Sequence, residues 1–237
     1  MQFAFLNFQG MDLQSVLISV LVVTLSLSVH ECSHAAAAYK LGDDTAKEEG
    51  RMTLNPLKHL DPIGVICFVF AKIGWAKPVP VNPLRLNKAR SMKEGMMLVS
   101  LAGPASNLIL SFISAFFFQM TRVILIRSNP AVGTAGVEIG NLFLMIFYSF
   151  FISNIFLAVF NLMPIPPLDG YKIFGSLLPK QTYFKIMQYE RYIGIVFLVL
   201  IFFGGNFLTR IMLTLAYPFS VALMYPWEWL AGLILGV

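Results

Sequence analysis

Charge is scarce in this chain: Asp, Glu, Lys and Arg make up 12% of its 237 residues, against roughly 25% in soluble domains. That is too little to cover a globular surface, which excludes an ordinary soluble domain. Cysteine is nearly absent, with only Cys32 and Cys67. Neither has a C-x-x-C or zinc-knuckle spacing, so a disulfide framework and a cysteine-built zinc module are excluded, and both read as free buried thiols. The N-terminus lacks the basic region and small-residue cleavage site of a signal peptide, so the first apolar segment reads as retained. There is no 20–50-residue repeat and no Ser, Gly or Gln tract. The whole of 1–237 therefore reads as one integral domain, with a core over about 12–178 and C-terminal helices over about 189–225.

Apolar residues are abundant, at 57% of the chain. A membrane-spanning helix needs about 20 largely apolar residues, and the candidates are about 12–39, 95–120, 140–163, 189–204 and 207–225. The expected fold is an all-α polytopic membrane protein with about five to six transmembrane helices. Gly42-Asp43-Asp44 should end the first helix. A stretch at 63–73 is too short to span, and the segment 75–83 alternates three prolines with Val and Asn, which forbids helix and central strand. Together these two predict a re-entrant or β-hairpin-like Pro-rich insertion, tolerable at membrane depth only beside protein or a water-filled cavity. Its extended edge is open to strand addition by an unwound peptide.

The net charge of +5 points to topology, not to nucleic acid. Ten of the seventeen Lys and Arg fall between Lys40 and Lys93, and Lys172, Lys180, Lys185 and Arg191 fall in a second connection, while 121–139 carries only Arg122 and Arg127. The positive-inside rule then puts 40–94 and 168–191 in the cytoplasm, and the N-terminus and 121–139 outside. Arg210 is expected to snorkel at the external end of the last helix, and Trp227 and Trp229 to anchor at an interface. The lipid bilayer is the expected partner, in a multi-pass protein of the cell membrane, of a kind suited to a prokaryotic inner membrane.

The chemistry concentrates in His30-Glu31-Cys32-Ser33-His34, an H-E-x-x-H run inside the first apolar segment. On a helix, positions i and i+4 share a face, so His30 and His34 can offer two imidazoles to one metal ion, with Glu31 flanking it as a base. If Lys40 marks the cytoplasmic interface, a rise of about 1.5 Å per residue puts His34 and His30 roughly 9 and 15 Å inside. A catalytic zinc takes three protein ligands and keeps one open position. The chain has three histidines, but His59 lies in a Pro-flanked polar segment without helical support. Asp169, at the turn after Asn161-Leu162-Met163-Pro164-Ile165-Pro166-Pro167-Leu168, is the better third ligand, because the prolines unwind a membrane helix just before it.

His30-Glu31-x-x-His34 paired with Asn161-x-x-Pro164-x-Pro166-Pro167-x-Asp169-Gly170 resembles the site-2 protease family of intramembrane zinc metalloproteases, across about 25–175. Gly103-Pro104-Ala105-Ser106-Asn107 is similar to that family's G-P-x-x-N element. The resemblance implies one zinc ion per chain held by His30, His34 and Asp169, Glu31 as general base toward water, and Asn161 orienting substrate or stabilising the oxyanion. It implies a transmembrane protein as substrate and an active site towards the cytoplasmic side. The chain departs from many members in showing no PDZ or CBS domain. Other readings stand beside this one: a non-proteolytic membrane zinc-binding protein or carrier, and an integral-membrane zincin that trims lipidated peptides. Asn161 and Asn107 can also serve as interhelical glue, and His59 and Asp61 as turn residues that bind backbone.

Overall fold

The computed structural model describes residues 13–61, 64, 76–203 and 205–236. Its regular elements are α1 (Leu13–Lys40), α2 (Thr45–Glu48), α3 (Met92–Ser128), α4 (Ala135–Asn161), α5 (Asp169–Gly175), α6 (Lys180–Gln188), α7 (Glu190–Phe203) and α8 (Gly205–Leu235). Short 3-10 turns occupy Pro56–Lys58 and Pro83–Arg85. No strand occurs among the described residues, only an isolated antiparallel bridge between Leu60 and Ala76. An all-helical architecture is what an apolar solvent demands of these Val-, Ile- and Phe-rich segments, since each helix satisfies its own backbone.

The helix ends follow from local chemistry. Beyond α1, Gly42 takes φ +106° and the Asp43 N–H returns to the Ala38 carbonyl at 3.0 Å, so the chain turns where Gly42-Asp43 predicts. Ser91 caps α3, its Oγ accepting from the Glu94 N–H at 3.2 Å, one of the two bonds of an S-x-x-E box. Asn129, with φ 39°, closes the other end in the left-handed conformation that Asn tolerates. Pro164, Pro166 and Pro167 prevent α4 from continuing past Asn161.

Helix α3 is the hub, packing against α1, α4, α5 and α8. Its contact with α4 and α8 encloses a core built around Ala115, Phe151, Ile155, Val159 and Met212. Arg127 donates to the Ile234 carbonyl, and Trp227 Nε1 donates to the Phe112 carbonyl at 3.0 Å. Those contacts make α8 run in the same direction as α3. Arg210, near the start of α8, therefore lies at the end of the bundle where α3 begins, the basic end, and not at the external end that the sequence suggested.

Four of the described helices are long and apolar enough to cross a membrane: Leu13–Lys40, Met92–Ser128, Ala135–Asn161 and Phe207–Leu235. The sequence suggested about five to six. The difference lies at the C-terminal end. Among the described residues α7 has 14, short of the roughly 20 that a span needs, while α8 runs 31 residues straight through Pro218 and Pro226. A membrane helix tolerates such prolines because neighbours re-satisfy the freed carbonyls. Trp229 is exposed (61%), but Trp227 packs on the rings of Phe112 and Phe116, which makes it a helix–helix contact instead of an interfacial anchor.

The insertion expected at 63–73, and with it Cys67, lies outside the described residues apart from Gly64. From Ala76 to Asn82 the Pro-rich segment has no helix, as its prolines require. It is pinned to the end of α1. The buried Asp43 carboxylate accepts from the Asn82 N–H at 2.6 Å, and the buried Arg51 donates from Nη2 to the Lys77 carbonyl at 2.7 Å and the Pro78 carbonyl at 3.3 Å.

Candidate metal centre

His30 and His34 lie one turn apart on α1 and are 3% and 8% exposed. Their Nε2 atoms are 2.9 Å apart. Asp169, the first residue of α5, brings Oδ2 to 3.2 Å from each of them. Three donor atoms from positions 139 and 135 residues apart in sequence thus form one small triangle.

The triangle fits a tetrahedral zinc ion. Ligand atoms about 2.0–2.1 Å from such an ion are about 3.3 Å from one another, close to the spacing here. The hydrogen bonds behind the rings fit as well. His34 Nδ1 lies 2.7 Å from the Val99 carbonyl, and His30 Nδ1 lies 2.6 Å from Asn107 Oδ1. Both partners are acceptors, so each ring carries its proton on Nδ1 and each Nε2 has a lone pair. Two lone pairs 2.9 Å apart, facing a carboxylate oxygen, repel one another unless a cation lies among them. Among the described residues, these three form the group of His, Cys, Asp and Glu side chains suited to a metal ion.

Glu31 faces the Pro-rich segment, its Oε2 accepting the Val79 N–H at 2.9 Å. Pro78 and Pro80 flank Val79 and have no N–H, so Val79 supplies the amide at this point. The carboxylate is thereby held against a segment of extended backbone.

Asn161, expected to act on substrate, sits at the last turn of α4 and donates from Nδ2 to the Leu157 carbonyl at 2.9 Å. It makes no hydrogen bond to the triangle. His59 is buried at 1% and apart from the centre, with Nε2 2.7 Å from the Thr53 carbonyl and Nδ1 unpartnered. Asp61 accepts the Gly64 N–H at 3.3 Å. Asn107 does more than bind helices together, since it touches a candidate ligand directly.

Sequence reasoning missed two contributors. Asn154 donates to Ser26 Oγ at 2.9 Å and to the Phe150 carbonyl at 2.8 Å, and it accepts from Asn107 Nδ2 at 2.7 Å. An Asn in the middle of the apolar segment 140–163 is costly unless partnered, and that was the available signal. The close approach of Gly103 was legible only as general packing. A Cβ built there would overlap His34 Nε2 and lie 2.5 Å from His34 Cε1 and 2.6 Å from His30 Cε1. Pro104 beside it leaves this turn of α3 one hydrogen bond short.

The model for peptidase family M50 matches residues 18–201. The chain is 46% identical over 187 residues, 78% of its length and 80% of the other, to a Bacillus subtilis protein named "Putative zinc metalloprotease YwhC". It is 33% identical over 158 residues to the "Putative zinc metalloprotease Rip2" of Mycolicibacterium smegmatis, covering 65% of this chain and 54% of that one. A Methanocaldococcus jannaschii protein, "Putative zinc metalloprotease MJ0611", is 28% identical over 157 residues, with 66% and 69% covered. No solved structure matches the chain.

Proposed function

From the premise that the chain belongs to peptidase family M50, the site-2 protease family, we propose that it is an intramembrane zinc endopeptidase that hydrolyses peptide bonds in or near transmembrane segments of other membrane proteins. The observation that carries this reading is the triangle of two imidazole nitrogens and a carboxylate oxygen, with sides of 2.9 to 3.2 Å, built on a helix long enough to cross a membrane. His30, His34 and Asp169 would hold one zinc ion. When bound, zinc supplies Lewis acidity and brings the pKa of water down to about 7.

The chain's own residues account for the remaining roles. Glu31 takes a proton from the attacking water and returns it to the leaving nitrogen. Asn161 Nδ2 carries two hydrogens and spends one on Leu157, so the other is free to meet a substrate carbonyl oxygen as negative charge develops there. Helices α1 and α3 meet the basic connection at Lys40 and Met92, which supports a multi-pass cell-membrane protein with its centre towards the cytoplasm. A carrier would use metal sites along an alternating-access path between repeats, and this chain has a single H-E-x-x-H and no repeat.

The test is Glu31→Gln in the purified full chain, measuring zinc content and cleavage of a transmembrane reporter together. The variant should keep wild-type zinc while cleavage falls about 10²–10⁴-fold. Unchanged cleavage would remove Glu31 as base, and wild-type protein that binds zinc but never cuts would favour the carrier. The reporter itself offers a second check. A helical peptide bond is internally hydrogen bonded and sterically hidden, so reporters with Gly, Asn or Pro near the cut should be cleaved faster than a uniform Leu/Ala helix. Equal rates would show that unwinding does not govern cleavage.

A further inference from the structure

Asn154 touches none of the three candidate ligands, yet the hydrogen bonds that begin at it have only one direction. The Phe150 carbonyl, 2.8 Å away, can only accept, so the Asn154 NH₂ must face it. That turns Asn154 Oδ1 toward Asn107, whose NH₂ must then donate across 2.7 Å. Asn107 in turn presents Oδ1 to His30 Nδ1 at 2.6 Å. An oxygen there accepts only, so the His30 proton is fixed on Nδ1 and the Nε2 lone pair faces His34 and Asp169. Reversing either amide would set oxygen against oxygen. Ser26, Asn107 and Asn154 are all 0% exposed, which leaves no solvent to satisfy a reversed group. The three residues come from α1, α3 and α4, so the relay also ties together three of the helices around the centre.

We infer that Asn154 is a positioning residue of the metal centre: acting through Asn107, it fixes which nitrogen of His30 is offered to the metal. This rests on the metal-site reading above. Partners behind a ligating histidine of this kind are worth about 10–100-fold in metal affinity. Val99 does the same for His34 through a backbone carbonyl, which no side-chain substitution removes. The His30 side is therefore the one open to test.

The full chain is purified in detergent as wild type, Asn154→Leu and Asn154→Asp. The zinc dissociation constant is read by competition with a chromogenic chelator, and the unfolding temperature is read on metal-free protein. Asp keeps an oxygen toward Asn107 in either protonation state, whereas Leu keeps none. Asn154→Leu should raise the dissociation constant about 10–100-fold, and Asn154→Asp should stay within about threefold of wild type. Wild-type affinity in the Leu variant would overturn the relay. Equal losses in Leu and Asp would also overturn it, by assigning the effect to packing. Should the Leu variant fail to fold, nitrogen NMR of isotopically labelled histidine in zinc-loaded wild type decides: His30 protonated on Nδ1 supports the relay, and protonation on Nε2 refutes it. A wild-type chain that takes up no zinc would overturn the metal-site reading, and the relay with it.

Discussion

Gly103→Ala should cost the protein its zinc and bring cleavage to background while leaving the helical bundle intact. The added methyl would overlap His34 Nε2 and approach His34 Cε1 and His30 Cε1 at 2.5 and 2.6 Å, well inside van der Waals contact. Side chains can sometimes swing away from such a clash, but these two are held from behind. His34 is bonded to the Val99 carbonyl and His30 to Asn107, so either ring moves only by giving up a buried hydrogen bond. The rings would have to separate on the edge that carries Nε2, and the triangle would open. A displacement of about 1 Å at a reacting centre already costs on the order of a hundredfold in rate, and loss of the ion costs more. Chelator competition on Gly103→Ala should give zinc affinity at least about a hundredfold weaker. Gly136→Ala is the control, because its new methyl would meet nothing closer than 3.8 Å. Wild-type zinc affinity in Gly103→Ala would show that α3 can retreat from α1, and that the close approach is not what shapes the centre.

The site was more legible in the sequence than the span count, and the reason is geometric. His30 and His34 needed only a helix to face the same way, and Asp169 needed only the prolines that stop α4. The fold brings all three together. Asn154 and Ser26 were illegible as partners, because an isolated Asn or Ser in an apolar segment satisfies itself on whichever neighbouring helix lies opposite. The Val79 amide on Glu31 leaves no side-chain signature at all. Helix ends misled for a different reason: Pro226 reads as a stop in water, and in α8 it is passed. Taking 207–225 as a short final span reversed its direction and placed Arg210 at the wrong end. Hydropathy finds apolar length well, but it does not say which of two neighbouring stretches belongs to the long helix.

Gly170→Ala should remove the centre by a different route, and the comparison with Gly103→Ala separates two kinds of constraint. A methyl on Gly170 would overlap the Leu162 carbonyl and the Met163 oxygen, which are main-chain atoms at the end of α4 and not rotatable side chains. The start of α5 lies directly on that unwound turn, so the turn must open and carry Asp169 with it. In an unconstrained helix Gly→Ala stabilises by about 0.4–1 kcal/mol. Here the sign should reverse, with an overpacking loss of about 1–3 kcal/mol or more. Zinc binding should fall as far as in Gly103→Ala, and the unfolding temperature of the metal-free protein should fall further than in Gly103→Ala, because main-chain atoms at the end of α4 must move where Gly103→Ala displaces only side chains. A stable Gly170→Ala with intact zinc affinity would mean that Asp169 reaches the histidines independently of the turn. The Pro164–Gly170 segment would then be a connector, and its close seat against α4 would have no part in forming the third ligand.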